Sequence, residues 1–345
     1  MNPHFTLSKS KLAAQLKILK NLNLKISYSY KTNHEVGDIL QEISPETDFS
    51  IHAHEEIPMI KDKSKIHFFT QAESTKQLEK IIQQKIKSFV VDNKIDLNNL
   101  LQAAENLNQK ISISIRMKFH EHRIGTGKYF VYGLPSNQVN QIIQELKNNP
   151  NVDKLGIHIH RKSQNTSEWE IVEELRDSIK PETLKIISSV NLGGGLPVEY
   201  KSYTASTLSY ILEKIKKAKE FLDQHNIKTI IEPGRFLAAP PISLHTSIIQ
   251  IQESILVLNT TIYNCALDTI LTETKMLVEQ ELPEREKGSY FLLKGNSPTR
   301  DDIFRYKVKL SQPKIGDQIT FLNAGAYNYT TDFFGYKKLE TKIIP

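Results

Sequence analysis

Residues 65–92, KIHFFTQAESTKQLEKIIQQKIKSFVVD, contain the pattern that decides the fold. Two short runs rich in β-branched and aromatic residues, KIHFFT (65–70) and KSFVVD (87–92), flank the segment KQLEKIIQQK (76–85). Apolar residues recur in that middle segment at the spacing of one helix face. A strand, a helix and a second strand in so short a stretch form the repeating unit of a parallel sheet, so this segment predicts an α/β fold.

The same unit recurs over residues 25–232. Further strands are predicted at 25–30, 48–53, 111–117, 154–160, 185–192 and 228–233, and further helices at 97–108, 136–148 and 208–225. Eight strands that alternate with helices are typical of a (β/α)8 barrel, whereas an open doubly wound sheet usually has fewer strands. We therefore predict a (β/α)8 barrel at residues 9–240.

The pattern of predicted secondary structure changes after Pro240 and Pro241. Short strand patterns follow one another without long helices, at 243–252, 254–264, 289–295, 306–311 and 317–325. This pattern predicts a C-terminal all-β domain over residues 241–345, joined by residues 1–8. A length of 345 residues agrees with one large and one small domain.

The composition is that of an ordinary globular protein, with 39% hydrophobic and 24% charged residues. Lysine and arginine number 45 against 39 aspartate and glutamate, which gives a net charge of +6. The basic residues are scattered along the chain, whereas a nucleic-acid-binding protein usually gathers them in one arm or stripe. We therefore expect no nucleic-acid partner.

The single cysteine, Cys265, excludes an intrachain disulfide and favours a reducing compartment. No Cys/His spacing resembles that of a zinc site, so no metal is expected. The first residues carry charges where a signal peptide would need an apolar run, and no window approaches the length of a membrane span. These features predict a cytoplasmic protein without a membrane partner.

The predicted strands end in chemically unusual residues. Lys31 follows the first strand, the triplet Gly193–Gly195 follows the seventh, and EPGR (232–235) follows the eighth. In a (β/α)8 barrel these carboxyl ends build the active site. An amine nucleophile, glycines that let backbone N–H groups approach a phosphate, and an acidic partner for a protonated ring nitrogen are what pyridoxal phosphate requires. Their joint placement predicts a pyridoxal phosphate site.

Five motifs resemble those of the pyridoxal-phosphate decarboxylases with the alanine racemase fold. This family includes ornithine, lysine, arginine, diaminopimelate and carboxynorspermidine decarboxylases. The motifs occur in the family's order and span nearly the whole chain: SYKTN (29–33), GIHIHRKSQ (156–164), NLGGGLP (191–197), IEPGRFLAA (231–239) and GAYNY (325–329). The resemblance implies an amino-acid decarboxylase that works as a homodimer with shared active sites.

The resemblance also implies roles for individual residues. Lys31 and His160 would be catalytic, because Lys31 would bind the cofactor covalently and His160 would stack on its ring. Glu232 would hold the pyridine nitrogen. The remaining cofactor contacts, chiefly to the phosphate, would come from Ser163, Gly193, Gly194, Gly195, Gly234, Arg235 and Tyr327.

Two further residues lie at strand ends. Arg116 stands at a family arginine position in the active-site network and is expected to bind substrate, although a structural ion pair is an equal alternative. His158 is expected to point to the opposite face from His160 and to have a structural role.

The chain departs from the family pattern in the β domain. The family carries a C-x-x-x-D segment, contributed across the dimer interface, whose cysteine helps to return a proton to Cα. In GNSPTRDD (295–302), Pro298 stands at the cysteine and Asp302 at the aspartate. Arg300 lies where relatives that act on diamines or diaminopimelate place an acidic residue. We expect Arg300, Asp301 and Asp302 to bind substrate, with a loop ion pair of Arg300 as the alternative.

Three functions are consistent with these motifs. The first is decarboxylation of an α-amino acid with an acidic or citrate-conjugated distal end, as in carboxylate siderophore synthesis. The second is an ornithine, lysine, arginine or carboxynorspermidine-type decarboxylase of polyamine metabolism. The third is a regulatory homologue that binds the cofactor with altered catalysis, which the missing cysteine would allow. The joint presence of Lys31, Glu232, Arg235 and Tyr327 favours an enzyme with a small amino-acid substrate.

Overall fold

A computed structural model describes residues 1–119, 133–160, 162–328 and 330–345 of the chain. Arg161 and Tyr329, which belong to two of the motifs above, lie outside the described residues. The chain starts with strand β1 (His4–Ser8) and helix α1 (Lys9–Lys20) and then enters a closed sheet.

Eight parallel strands pair in a ring, which confirms the predicted barrel. In chain order the strands of this sheet are β2 (Lys25–Ser29), β3 (Asp48–Ile51), β4 (Ile66–Phe69), β5 (Ser88–Val91), β6 (Ile111–Lys118), β7 (Leu134–Pro135), β8 (Val152–Ile159), β9 (Ser189–Asn191) and β10 (Lys228–Ile231). Strand β7 pairs only with β6 and stands outside the ring, which closes where β10 pairs with β2. All eight predicted barrel strands are therefore present.

Helices surround this ring. They are α2 (His34–Ile43), α3 (Thr75–Gln83), α4 (Lys94–Asn106), α5 (Ser136–Leu146), α6 (Ile171–Ser178), α7 (Pro181–Leu184), α8 (Leu208–Asp223) and α9 (Arg235–Ala238). Helix α3 shows why they form: Ser74 and Gln77 close a capping box at its start, and it buries Leu78, Ile81 and Ile82 on one face. After β3 a 3-10 helix, His54–Met59, replaces the α-helix. None of the described helices is long and apolar enough to cross a membrane.

A second sheet follows the barrel. Its further elements are β11 (Ile242–Gln252), β12 (Ile255–Leu258), α10 (Ile262–Cys265), α11 (Leu267–Thr272), β13 (Leu277–Val278), β14 (Ser289–Lys294), β15 (Ile303–Leu310), β16 (Gln318–Leu322) and β17 (Glu340–Ile344). The path β13-β16-β11-β12-β14-β15 is mainly antiparallel, and β1 joins it between β11 and β17. A barrel followed by a β-sheet unit confirms the predicted fold class. The division into domains at residue 240 stays a prediction.

The expected strand at 254–264 is wrong in its second half. Strand β12 ends at Leu258, and residues Ile262–Cys265 form helix α10. The side-chain oxygen of Thr261 accepts a hydrogen bond from the N–H of Tyr263 at 3.3 Å and so begins the helix. A run of β-branched residues predicted a strand here, but this local cap and the packing of α10 against α11 favour the helix.

The β domain touches the barrel rim through its own backbone. The side-chain amide of Asn33 donates to the carbonyl of Gly325 at 2.9 Å, and the N–H of Tyr327 donates to the carbonyl of Thr32 at 3.0 Å. A Cβ atom on Gly325 would lie 2.0 Å from the carbonyl oxygen of Ala238. Only glycine permits this close approach of the two backbones.

Replacement of Gly325 by alanine should lower the free energy of unfolding by about 3 kcal/mol, because the new methyl group overlaps fixed backbone atoms. Gly316→Ala is the matched control: its Cβ would meet no atom within 4 Å, so only backbone strain at φ +95°, about 1 kcal/mol, is expected. Urea unfolding measures both values. Equal losses in the two variants would contradict a steric origin.

Candidate active site

A cavity opens at the carboxyl ends of the barrel strands. Its lining includes Lys31, Arg116, His160, Ser163, Gly194, Gly195, Glu232, Gly234, Arg235 and Tyr327, all of which the sequence assigned to the cofactor or the active site. Gly193, the first residue of the triplet, lies directly behind His160. The barrel therefore gathers into one place residues separated by nearly 300 positions in the chain.

Lys31 stands on a rigid turn at the end of β2. It is the middle residue of a 3-10 helix, Tyr30–Thr32, and the next residue, Asn33, caps α2 by accepting the N–H of Val36 at 3.1 Å. Its side chain is open to the cavity. Desolvation by the surrounding protein lowers the pKa of Lys31, and the charge of Arg116 lowers it further. The negative charge of Glu232 acts in the opposite direction. A lowered pKa increases the fraction of neutral, nucleophilic amine.

Glu232 is a buried carboxylate at the bottom of the cavity. Its Oε1 accepts hydrogen bonds from Ser50 Oγ at 2.7 Å and Asn191 Nδ2 at 2.8 Å, and its Oε2 lies 2.8 Å from Nε2 of His158. Burial alone would raise the pKa of Glu232, but His158 and the hydrogen bond from Ser50 hold it well below its ordinary value. The side chain is therefore ionised at neutral pH.

The expectation that His158 points away from His160 is wrong. Residues two apart on a strand share a face, and both histidines line the cavity. His158 is buried, donates through Nε2 to the Glu232 carboxylate and meets the ring of Phe69 edge-on at 5.2 Å. Its role is to hold Glu232.

The glycine triplet makes a turn that other residues do not adopt easily. Gly193 has φ +70°, and a Cβ there would lie 2.2 Å from the carbonyl oxygen of Ile159. Gly195 also has a positive φ of +98°. The N–H of Gly194 lies 3.4 Å from Nδ1 of His160, so the backbone turn and the imidazole are in contact. The surrounding protein and the charge of Arg116 lower the pKa of His160, so the imidazole is neutral.

Gln164 fixes the loop that carries Ser163. Its side-chain amide pairs with the backbone of Val198 in both directions at 2.8 Å, and the N–H of Asn165 donates to the carbonyl of Gly195 at 2.9 Å. These bonds hold the Ser163 loop beside the glycine triplet. Sequence reasoning missed this role of Gln164, although it follows the serine directly in the motif.

Ser50 and His52 also belong to the site, and sequence reasoning missed both. Ser50 lies in strand β3 and His52 follows its last residue, so the two side chains point to the same face. Ser50 donates to Glu232, and His52 lines the cavity. The His52 ring stacks on Phe69 at 4.4 Å, and its Nδ1 has no hydrogen-bond partner among the described residues. Burial and the charge of Lys31 lower the pKa of His52 to about 4. The alternation within DFSIHA (48–53) was the available signal.

Arg235 and Tyr327 close the cavity on the β-domain side. The Arg235 guanidinium donates through Nη1 to Asp268 Oδ2 at 2.6 Å and through Nη2 to Asp268 Oδ1 at 2.9 Å. The rings of Tyr200 and Tyr327 lie 5.5 and 5.3 Å from its central carbon. Tyr327 has φ +58°, a strained backbone for a bulky residue. The ion pair with Asp268 gave no sequence signal.

Comparison with known proteins agrees with this site. The family model for the pyridoxal-binding domain of pyridoxal-dependent decarboxylases matches residues 9–239, which is most of the chain. The protein belongs to this family. Its members use pyridoxal phosphate, and the decarboxylase is therefore a pyridoxal-phosphate-dependent lyase that acts on amino acids.

Individual relatives are distant. The decarboxylase is 26% identical over 328 residues to diaminopimelate decarboxylase from Vibrio cholerae, which covers 88% of this chain and 77% of that protein. Its fold matches lysine decarboxylase from Selenomonas ruminantium with a TM-score of 0.85 at 18% identity, covering 99% and 92% of the two chains. Arginine decarboxylase from Paramecium bursaria Chlorella virus matches with a TM-score of 0.79 at 17% identity, covering 100% and 96%.

The cavity of the decarboxylase fits the family's cofactor. The buried nitrogens at the cavity that have no hydrogen-bond partner among the described residues include Nε of Arg235, Nδ1 of His52 and Nδ1 of His158. Gly194 and Gly195 line the cavity without side chains and so leave room for a phosphate group, and Glu232 is an ionised partner for a protonated ring nitrogen. Among the described residues, no group of three or more His, Cys, Asp or Glu side chains could hold a metal ion.

Of the residues assigned to the substrate, Arg116 lines this cavity, whereas the three residues of the loop 295–302 lie away from it in the single chain. The side chains of Arg300 and Asp301 are 96% and 82% exposed, and their closest charged atoms are 4.0 Å apart. Asp302 is fully buried and accepts hydrogen bonds from the N–H groups of Ile262 and Ser297, both at 2.9 Å. The assignment of Asp302 to the substrate is therefore wrong. Its buried carboxylate binds backbone N–H groups of the β domain and so stabilises the loop 295–302.

Asn191→Asp should destabilise the decarboxylase by about 3 kcal/mol at pH 8, because two carboxylates would then face each other and cannot both be ionised. One of the two pKa values is raised in the folded state. The loss should therefore shrink at pH 5 and grow as the pH rises. Urea unfolding at the two pH values measures it.

The double variant Asn191→Asp/Glu232→Gln provides the control. An amide at position 232 can donate to the new carboxylate, so the double variant should recover at least half of the lost stability. A loss that does not depend on pH, or that the double variant does not reduce, would show that Asn191 acts through packing alone.

Proposed function

We propose that the decarboxylase acts on an α-amino acid with an acidic distal end, such as a citrate-conjugated diamino acid of carboxylate siderophore synthesis. The charge of the cavity carries this proposal. Among the described lining residues the charged side chains are Lys31, Arg116, Arg235 and Glu232, and Glu232 already has three hydrogen-bond partners. No lining carboxylate of the described chain is left for a distal ammonium. The charge of Arg235 is paired with Asp268, but the positive charges of Lys31 and Arg116 favour an anionic substrate.

Each of the main cavity residues would have a separate role in the reaction. Pyridoxal phosphate, when bound, supplies the electron sink that accepts the charge left by departing CO₂. Lys31 provides the amine that holds the cofactor, and its lowered pKa favours the reactive neutral form. Glu232 stays ionised and would keep the ring nitrogen protonated, while the neutral imidazole of His160 would cover one face of the ring.

We also propose that two copies of the chain share their active sites. The loop 295–302 lies at the surface of the β domain, where Arg300 is free to reach into the cavity of a second subunit. Its guanidinium would bind a distal carboxylate through two parallel hydrogen bonds. The buried side chain of Asp302 and the bonds of Lys294 Nζ to the carbonyls of Ser297 and Thr299 give the loop a fixed shape.

One observation favours the second candidate, a decarboxylase of ornithine, lysine, arginine or a carboxynorspermidine-type substrate. Asp301, next to Arg300, is also exposed and would bind a distal ammonium, whereas Arg300 would bind a distal carboxylate. The two candidates therefore differ in which residue of the same loop meets the substrate. A cytoplasmic location stays a prediction from the sequence.

Lys31→Ala should abolish covalent attachment of pyridoxal phosphate. Borohydride reduction fixes the cofactor on the lysine that holds it, and peptide mass spectrometry then identifies that lysine. The unchanged protein should carry the label on Lys31, and Lys31→Ala should carry none. Lys162→Ala, which removes a lysine two residues after His160, is the control and should keep the label. Labelling of another lysine in the unchanged protein would contradict the assignment.

Arg300→Ala should lower kcat/KM for the preferred substrate roughly a hundredfold, as expected for the loss of a bidentate contact to a charged group. A panel of ornithine, lysine, arginine, diaminopimelate and citrate-conjugated amino acids identifies that substrate by CO₂ release. Arg285→Ala, which removes another exposed arginine of the β domain, should change kcat/KM less than twofold. Preference of the unchanged protein for ornithine or lysine would reject the acidic-substrate proposal.

Mixed dimers test the shared site separately. When Lys31→Ala and Arg300→Ala subunits exchange at random, half of the dimers are mixed and each mixed dimer has one intact site. Activity should therefore recover to about a quarter of the normal value. No recovery after demonstrated subunit exchange would place both residues in the site of one chain.

A further inference from the structure

The contact between Arg235 and Asp268 is unusual because it connects the two parts of the molecule at the cofactor cavity. Arg235 begins α9, directly after the last barrel strand, whereas Asp268 lies on α11 of the β domain. Their side chains are 5% and 2% exposed. Two parallel hydrogen bonds, at 2.6 and 2.9 Å, join the end of the guanidinium to the carboxylate.

The carboxylate is itself held in place. Thr272 Oγ1 donates to Asp268 Oδ1 at 3.0 Å, and the backbone N–H of Asp268 donates to Asn328 Oδ1 at 3.0 Å. Asn328 in turn donates to the carbonyl of Ala324 at 3.0 Å, within the same segment that presents Tyr327. The orientation of Asp268 is therefore fixed by two independent bonds before it meets Arg235.

These contacts use three of the five N–H groups of the guanidinium. Nη1 donates to Asp268 and also to the hydroxyl of Tyr200 at 3.1 Å, and Nη2 donates to Asp268. Nε is buried and has no partner among the described residues. The rings of Tyr200 and Tyr327 lie over the guanidinium and restrict its rotation. Arg235 lines the cavity, so its Nε–H is available to an anionic group there.

We infer that Asp268 is a positioning residue, which holds Arg235 so that its Nε–H serves the phosphate of pyridoxal phosphate. The inference rests on the proposed assignment of Arg235 to the phosphate. A guanidinium that is neutralised and fixed from behind offers a directed hydrogen bond, whereas an unpaired guanidinium would be free to turn away from the cavity. Asp268 thereby makes cofactor binding depend on the docking of α11 against the barrel.

The ratio of two dissociation constants tests this role without any catalytic assay. Pyridoxal lacks the phosphate, so the dissociation constant of pyridoxal divided by that of pyridoxal phosphate reports the phosphate contribution alone. Both constants are measured on the full-length protein after removal of its cofactor. Asp268→Asn keeps the size of the side chain but cannot accept both hydrogen bonds. It should lower the ratio roughly tenfold or more, as expected for a weakened hydrogen bond to a charged group.

Two further variants separate the possible failures. Arg235→Met should lower the ratio at least as much as Asp268→Asn, and an unchanged ratio in Arg235→Met would reject the phosphate assignment itself. If Arg235→Met lowers the ratio and Asp268→Asn does not, the assignment stands and the positioning role is overturned. A higher ratio in Asp268→Asn would also overturn it, because Asp268 would then compete with phosphate for the guanidinium.

Asp302→Asn is the matched control for folding of the β domain. Asp302 is also buried and also accepts two hydrogen bonds, but it bonds to backbone N–H groups and does not line the cavity. This variant should lower the melting temperature and leave the ratio within about twofold of the unchanged protein. A similar fall of the ratio in Asp302→Asn would show that general loosening of the β domain, rather than Asp268, controls phosphate binding.

Discussion

A single buried negative charge organises the site. The Glu232 carboxylate is almost inaccessible to solvent, and an uncompensated charge in such a place would be strongly unfavourable. Three strands contribute the donors that stabilise it: Ser50 from β3, His158 from β8 and Asn191 from β9. The barrel must therefore close in the correct register before this charge is tolerated. The same closure places Lys31, the glycine turn and Arg235 around one cavity.

The sequence predicted the barrel because its signals are local. Each strand and helix shows its own period, and the order of eight such units leaves few alternatives. The motif residues could be assigned to one site because the carboxyl ends of the strands meet at one rim of the barrel. The strands β1 and β17 were not predicted, because each is short and depends on pairing with distant segments. Helices α10 and α11 escaped because the cap at Thr261 and packing outweigh the strand propensity of that segment.

Errors within the site have equally physical causes. His158 was misplaced although the two-residue alternation of a strand puts it on the same face as His160. The same alternation would have identified Ser50 and His52. Asp302 could not be assigned from spacing, because the direction of its side chain depends on the fold of the loop 295–302. The pairing of Asp268 with Arg235 joins two segments that only the tertiary structure brings together.

The position of β1 has a consequence for folding of the chain. This strand pairs with β11 and, in parallel, with β17, where His4 lies opposite Glu340 across most of the sequence. The hydroxyl of Ser8 also donates to the carbonyl of Pro345 at 3.1 Å. One edge of β1 therefore stays unpaired until a segment that is very distant in sequence has folded beside it, and such non-local pairing slows completion of the β sheet. A circularly permuted chain that links β17 to β1 and opens in a barrel loop would remove this delay, because the two strands would then be neighbours in sequence.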